Sequence, residues 1–370
     1  MAAGSTIGTI FKVITWGESH GKAIGVVVDG CPAGLSLCEA DIQKLLDRRK
    51  PGQSRFTTQR NEGDEVEILS GVFEGKTTGT PVSMFVWNRD QRSKDYSVIA
   101  QCYRPGHADF TFDEKYGFRD YRGGGRSSAR ETIGRVAAGA IAEKFLEQLG
   151  ISVTAYTKSI GPVEIDESRL VLKEAGNNAL GMPDARAAKE AAEYLKQKMA
   201  EGDSSGGVVE CVISHLPTAL GEPVFDKLDA NLAKAMLSIG AVKGFEIGDG
   251  FAAAKSCGSL NNDAFRVDET GIKKVTNHSG GVLGGISDGS DIVFRTAFKP
   301  TPSIAKSQDT VNKNKENMEL VIKGRHDPVV VPRAVVVVEA MAAITIMDML
   351  LLSMTSRMDW IQEFFKRREK

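Results

Sequence analysis

The chain has 370 residues, 41% hydrophobic and 26% charged, a globular balance that excludes a disordered chain, a collagen and a coiled coil. Its 47 Lys and Arg face 48 Asp and Glu, a formal net charge of -1, whereas a bulk electrostatic binder of nucleic acid is basic. Length alone predicts one large domain or two smaller ones. With no internal repeat, low-complexity segment or linker between residues 1 and 370, one interlocked α+β unit is the expectation.

Short strand-like runs come first, at 9–15, 24–28, 66–69 and 82–87, punctuated by Gly, Pro and Asn. A helix is expected over 39–49, with Ser36 and Glu39 at capping-box spacing. From residue 48 to 130 the chain reads as loop-like and polar. An Ala-rich helix follows over 130–149, again with capping-box spacing between Ser128 and Glu131, and Gly150 stops it. Further on, strands are expected at 152–158, 208–214 and 291–298. Helices are expected at 184–200, capped by Asp184, and at 226–239. The most apolar stretch, 329–354, is interrupted by Pro332, Arg333, Glu339 and Asp348, so it reads as a buried helix at 333–354 and not a membrane span. The N-terminus lacks the pattern of a signal peptide. The five cysteines are odd in number, widely spaced and without C-x-x-C, which argues for a reducing cytoplasm and against a disulfide framework or thiolate zinc site.

Only five histidines occur, and none pair as H-x-x-x-H or H-E-x-x-H, so a zinc-protease pattern is absent. His20 sits in the Gly-flanked run Gly17-Glu18-Ser19-His20-Gly21 after a strand, where an imidazole can face a cleft or only bond to backbone. His107 lies in a Pro-Gly turn between Arg104 and Asp109, with a surface loop as the other reading. His215 and His278 read as structural. In Gly324-Arg325-His326-Asp327 the Arg and Asp are more informative than the His.

Arginine carries more. Eleven of 21 arginines fall between residues 48 and 130, against four lysines. Acids would pair with Lys as readily, so the bias towards the planar guanidinium fork points to a carboxylate or phosphate site. Gly123-Gly124-Gly125-Arg126-Ser127-Ser128, leading into a helix, is the strongest anion signal: glycines allow close backbone approach, serines offer hydroxyls, and a helix N-terminus favours negative charge. Two nucleotide motifs fail. Gly71 to Thr77 is one residue short of a P-loop and reads as a hairpin turn, and no G-x-G-x-x-G follows a strand. The Gly280–Gly285 run and Lys299-Pro300-Thr301-Pro302-Ser303 read as turns plus solvated charge when taken alone.

Together these segments resemble the chorismate synthase family. The resemblance rests on Trp16-Gly17-Glu18-Ser19-His20-Gly21, on Tyr103-Arg104-Pro105-Gly106-His107-Ala108-Asp109 and on the run from Arg119 through Gly123-Gly124-Gly125-Arg126 to Thr132. Gly284-Gly285-Ile286-Ser287, Lys299-Pro300-Thr301 and Gly324-Arg325-His326-Asp327-Pro328 continue it, in order, across residues 6–352. It implies a β-α-β sandwich with helices packed between antiparallel sheets, assembled as a homotetramer. It also implies anti-1,4-elimination of phosphate and the C6 hydrogen from 5-enolpyruvylshikimate 3-phosphate, giving chorismate, with reduced FMN required although no net redox occurs.

By the same resemblance His20, His107 and Asp327 are catalytic, and Arg49, Arg55, Arg104, Arg130 and Arg325 hold the substrate. FMN would contact Arg126, Ser127, Ser128, Gly240, Ala241, Gly284, Lys299, Pro300, Thr301, Pro302, Ser303 and Arg325. Gly240 stands where the family often has Asn, which preserves backbone contacts only. Arg49 and Arg55 are also candidates for NADP. NADPH would serve only as a reductant, with an external flavin reductase as the other source, and neither a nucleic acid nor a membrane is an expected partner. The chemistry of the residues agrees: a substrate with two carboxylates and a phosphate suits an arginine-lined site, each charge-assisted bond being worth roughly 1.5–3 kcal/mol. Two further expectations follow. Crowded arginines should repel, leaving the empty site loose, and Arg49 and Arg55, as loop charges, should matter little to stability.

Overall fold

A computed structural model describes residues 4–54, 56–57, 63–89, 99–269, 271–322 and 327–368. Two five-stranded antiparallel sheets form its outer layers. The first runs Thr6–Ile7, Lys12–Gly17, Ala23–Asp29, Val82–Trp87, Val66–Ile68 in spatial order. The second runs Val242–Ile247, Ile292–Phe298, Gly207–Ser214, Ser152–Ile160, Val163–Glu164. The helices Glu39–Arg49, Thr132–Gln148 and Val331–Ser353 lie between them. Thr132–Gln148 packs on the first sheet and along Val331–Ser353, which packs on Ser152–Ile160 and Gly207–Ser214. This is the expected β-α-β sandwich of the α+β class.

Small residues bring the two central helices together. A Cβ on Gly139 would lie 2.6 Å from the Cα of Ala340, so glycine there sets the closeness of the helix pair. Val331–Ser353 is long and apolar enough to cross a membrane by length and composition, but 83% of its apolar window is buried inside the protein. Its two acids have partners. Asp348 accepts the N–H groups of Thr9, Ile10 and Phe11 at 2.7–2.9 Å, tying the N-terminal segment to the core. Glu339 accepts the Ala155 N–H at 2.9 Å and pairs with Arg48 at 2.7 Å.

Boundaries depart from expectation where turns and long-range contacts override local pattern. The first helix spans Glu39–Arg49, but its N-cap is Cys38, whose N–H donates to Asp41 at 2.9 Å. Ser36 is instead bridged to Lys76. The Ala-rich helix starts at Thr132, because the left-handed glycines 123–125 lead into two 3-10 turns, Gly125–Ser127 and Ala129–Glu131. Ser128 caps the second of these by accepting the Arg130 N–H at 3.3 Å. The supposedly loop-like region contains the helix Asp109–Tyr116, and Met358–Arg368 is a further helix the pattern did not predict. The 71–77 segment is a hairpin, with Glu74 and Gly75 both at positive φ.

Glu143, on Thr132–Gln148, is half-buried, and its enclosed Oε1 lacks a hydrogen-bond partner among the described residues. Burial first, and the neighbouring Glu339 second, push its carboxyl up to about 8. The folded pKa lies above the unfolded one, so its contribution to stability is complete below the unfolded value and lost as pH rises through the folded one. Glu143→Gln is therefore expected to gain melting temperature relative to the parent between about pH 5 and pH 9. The same difference in melting temperature at both ends would show that Glu143 does not titrate.

Candidate active site

A cavity of about 1330 Å³ opens between the N-terminal segment, the turn around His107, the Gly123–Ser128 turns, the 237–243 turn, the 298–303 segment and the start of Val331–Ser353. It exceeds the roughly 300–1,000 Å³ usual for a single ligand. Among the described residues six arginines line it, Arg49, Arg104, Arg126, Arg130, Arg135 and Arg333, with Lys115, Lys234, Lys243 and Lys299, and the acids in the lining are Glu131 and Asp327. Ten cations against two carboxylates make an anion site in a chain whose net charge is -1.

The glycine turn passes between the two histidines. Gly123, at φ +64°, lies so close to His20 that a Cβ would stand 1.9 Å from its Cε1. On Gly124, at φ +86°, a Cβ would stand 3.0 Å from Cε1 of His107. Ser19 Oγ is 3.2 Å from His20 Nδ1 and donates to the Gly123 carbonyl at 3.2 Å, so the buried imidazole is fixed to the turn. His107 Nδ1 lies 3.1 Å from Arg104 Nη2 and 3.2 Å from Asp109 Oδ1.

The arginines are braced by carboxylates behind the wall. Asp109 receives Arg104 through Nε at 2.8 Å and Nη2 at 2.7 Å. Burial would raise the Asp109 carboxyl, but Arg104 and His107 hold it far below the usual carboxylate range. Asp64, fully buried, takes Arg49 Nη2 on one oxygen at 2.5 Å and Arg130 Nη1 on the other at 3.2 Å. Arg130 Nε also donates to Asn88 at 3.0 Å. Desolvation, opposed by Asp64, pushes Arg49 down to about 10, with Arg333 and Arg130 adding repulsion. Arg333 holds Asp327 at 2.7 Å, and Arg135 holds Glu131 at 2.7 Å. The expected loose, self-repelling cluster is thus a braced one. Arg49 is no loop charge either: its side chain is 1% exposed, so its replacement should cost stability.

Other expected residues fall around the same space. Arg126 reaches back to Thr15 Oγ1 at 2.6 Å and the Gly17 carbonyl at 3.1 Å, and Ser127 Oγ donates to Gly124 at 2.7 Å. Lys299 Nζ donates to Gly106 at 2.5 Å; burial and then Lys243 lower its pKa. Ala241, left-handed at φ 72°, accepts the Lys299 N–H at 2.9 Å. A Cβ on Gly240 would meet nothing within 4 Å, so the site gains only backbone there. Thr301, Pro302 and Ser303 line the cavity, whereas Pro300 packs by Gly206 and Gly284 sits at an exposed hairpin tip away from it. Arg55 and Arg325 lie outside the described residues. Sequence reasoning missed Asp64, Asn88, Arg135 and Arg333 as site residues. Arg333 carries one visible signal, a cation in the first turn of an otherwise apolar helix.

A family model described as Chorismate synthase matches residues 11–351. The chain is 69% identical over 365 residues to the chorismate synthase of Agathobacter rectalis, covering 99% of this chain and 100% of that one. It is 58% identical over 356 residues to that of Methanosarcina barkeri, covering 95% and 97%. A crystal structure of chorismate synthase superposes with a TM-score of 0.77 at 33% identity, over 98% of each chain.

Because a Cβ on Gly123 has no room, Gly123→Ala is expected to displace His20 and lower turnover by roughly 10²-fold, the cost of misplacing a reacting group by about 1 Å. Steady-state kinetics beside thermal melting checks this; a native rate in the folded variant would mean that the position of His20 is immaterial.

Proposed function

The chain belongs to the chorismate synthase family, and from that premise we propose that it removes phosphate and the C6 hydrogen from 5-enolpyruvylshikimate 3-phosphate in an anti-1,4-elimination, giving chorismate. On this reading it is a carbon–oxygen lyase acting on phosphates. The observation that carries the reading is the cavity whose described lining joins ten cations to two histidines on either side of one glycine turn. A substrate with three anionic groups matches that charge, and histidine suits proton delivery near neutral pH.

The residues present fit a flavin mononucleotide beside the substrate. The space exceeds that for one ligand, the glycine turn offers a surface without side chains, and Arg126, Ser127, Ser128, Ala241 and the 299–303 segment supply donors for a phosphate. Reduced FMN, when bound, supplies electron density to the allylic system and takes up the hydrogen. Arg49, Arg104 and Arg130 would grip the substrate's carboxylates and phosphate. His20, steadied through Ser19, would give a proton to the departing phosphate. His107, pinned by Arg104 and Asp109, would sit by the flavin ring and stabilise its reduced form. Asp327, held by Arg333, would take up a proton at the flavin edge. Both lining carboxylates are engaged by arginines, which fits a reaction whose hard step falls to a cofactor. The reduced flavin would come from an external flavin reductase or from NADPH acting as reductant. Homotetrameric assembly would cover the apolar outer face of the first sheet, where Ile14, Trp16 and Trp87 stand at 41–45% exposure. The five cysteines, all free thiols, suit a cytoplasmic setting.

Anaerobic addition of reduced FMN and substrate should release phosphate, whereas oxidised FMN alone should release none. Turnover with no flavin present would sink the reading. His20→Ala is expected to lower turnover by roughly 10²–10⁴ while the melting temperature holds; a near-native rate would return His20 to a structural role.

A further inference from the structure

A carboxylate with no place in the proposed chemistry sits at the centre of the arginine wall. Asp64 lies just before the strand Val66–Ile68, with its backbone at φ 47°. That left-handed conformation is uncommon outside glycine but tolerated by Asp and Asn. It turns a fully buried side chain into the gap between two helices' arginines, Arg49 at the end of Glu39–Arg49 and Arg130 in the 3-10 turn before Thr132. Each oxygen takes one guanidinium, at 2.5 Å and 3.2 Å. Two adjacent cations and one anion leave a triad of net +1. Arg49 Nη1 is directed at the Ala129 carbonyl at 3.3 Å and Thr132 Oγ1 at 3.4 Å, while its buried Nε has no hydrogen-bond partner among the described residues. Held through Nη2 by the carboxylate and through Nη1 by the carbonyl, the Arg49 guanidinium keeps a fixed orientation. The grip extends along the wall, since the Arg49 carbonyl accepts Arg333 Nε at 3.2 Å and Arg333 holds Asp327.

We infer that Asp64 is a positioning residue that sets the orientation of Arg49 and Arg130 and trims their charge, so that the site binds its anion in one pose and not at maximal strength. Without it the two arginines would attract anions more strongly and orient them less well. The inference rests on the proposed reading of the cavity only for the identity of the anion.

Two variants test it, with inorganic phosphate as the binding probe and kcat for phosphate release as the catalytic readout. Asp64→Asn keeps shape and backbone preference but removes the charge. It should bind phosphate roughly tenfold more tightly, the triad rising from +1 to +2, while kcat falls by roughly 10²-fold as the forks lose their pose. Asp64→Glu keeps the charge and moves it by one methylene, so phosphate affinity should stay within about twofold while kcat falls roughly tenfold. This second variant decides the matter if the first does not fold. Native kcat in Asp64→Glu, or native kcat with unchanged phosphate affinity in Asp64→Asn, overturns the inference. If the parent releases no phosphate from the enolpyruvyl substrate with reduced flavin, yet Asp64→Asn still tightens phosphate binding, the functional reading fails and the charge-trimming role of Asp64 stands.

Discussion

Ten cationic side chains cannot line one cavity unless something holds them there. Like charges a few ångströms apart in a partly dry wall repel, and each buried guanidinium loses its hydration. The fold meets this constraint with carboxylates placed behind the wall: Asp64 for Arg49 and Arg130, Asp109 for Arg104, and Glu131 and Asp327 at the rim for Arg135 and Arg333. These acids come from different elements. Asp64 precedes an edge strand of the first sheet, Asp109 opens a short helix, and Asp327 precedes the central helix. The cavity exists only once the sandwich has closed and brought them together.

The same closure depends on close backbone approach. Gly139 lets the two central helices meet, and Gly134 lets the first of them approach Thr15 and the Gly25 carbonyl of the sheet. That contact carries the Gly123–Glu131 turns over the cavity, because they lead directly into the helix at Thr132. At the other end Asp348 ties residues 9–11 to the central helix, which keeps the N-terminal strand and Thr15 in place beneath Arg126. Packing and chemistry are therefore linked: the glycines that close the core also aim the turn that separates His20 from His107.

The site is pre-organised more than it is empty space lined with charge. Arg104 is gripped along one edge by Asp109, and His107 shares that carboxylate. Ser19 joins His20 to the glycine turn. An incoming anion meets donors whose rotamers are already chosen, so less of the binding energy is lost to ordering side chains. On the proposed function, such preorganisation would let electrostatic stabilisation act on developing charge without first rearranging the wall.

Much of this was legible in the sequence because it is local. Periodicity placed the helix Glu39–Arg49 at its bounds, and the buried helix Val331–Ser353 was recognisable from its interrupting acids and proline. The arginine excess between residues 48 and 130 and the run Gly123-Gly124-Gly125-Arg126-Ser127-Ser128 announced an anion site, and the ordered motifs carried the family resemblance. What the sequence alone left undecided is long-range. Asp64 and Arg130 are 66 positions apart, His20 and Gly123 103, Arg49 and Arg333 284. Nothing in the local pattern distinguishes Asp64 from ten other acids in the same stretch. Helix caps shifted for the same reason, as Ser36 was taken by Lys76 and left Cys38 as the cap. Residue type and spacing determined which chemistry the chain carries; which carboxylate braces which arginine was decided by tertiary packing, because a buried charge must find its counter-charge wherever the fold places one.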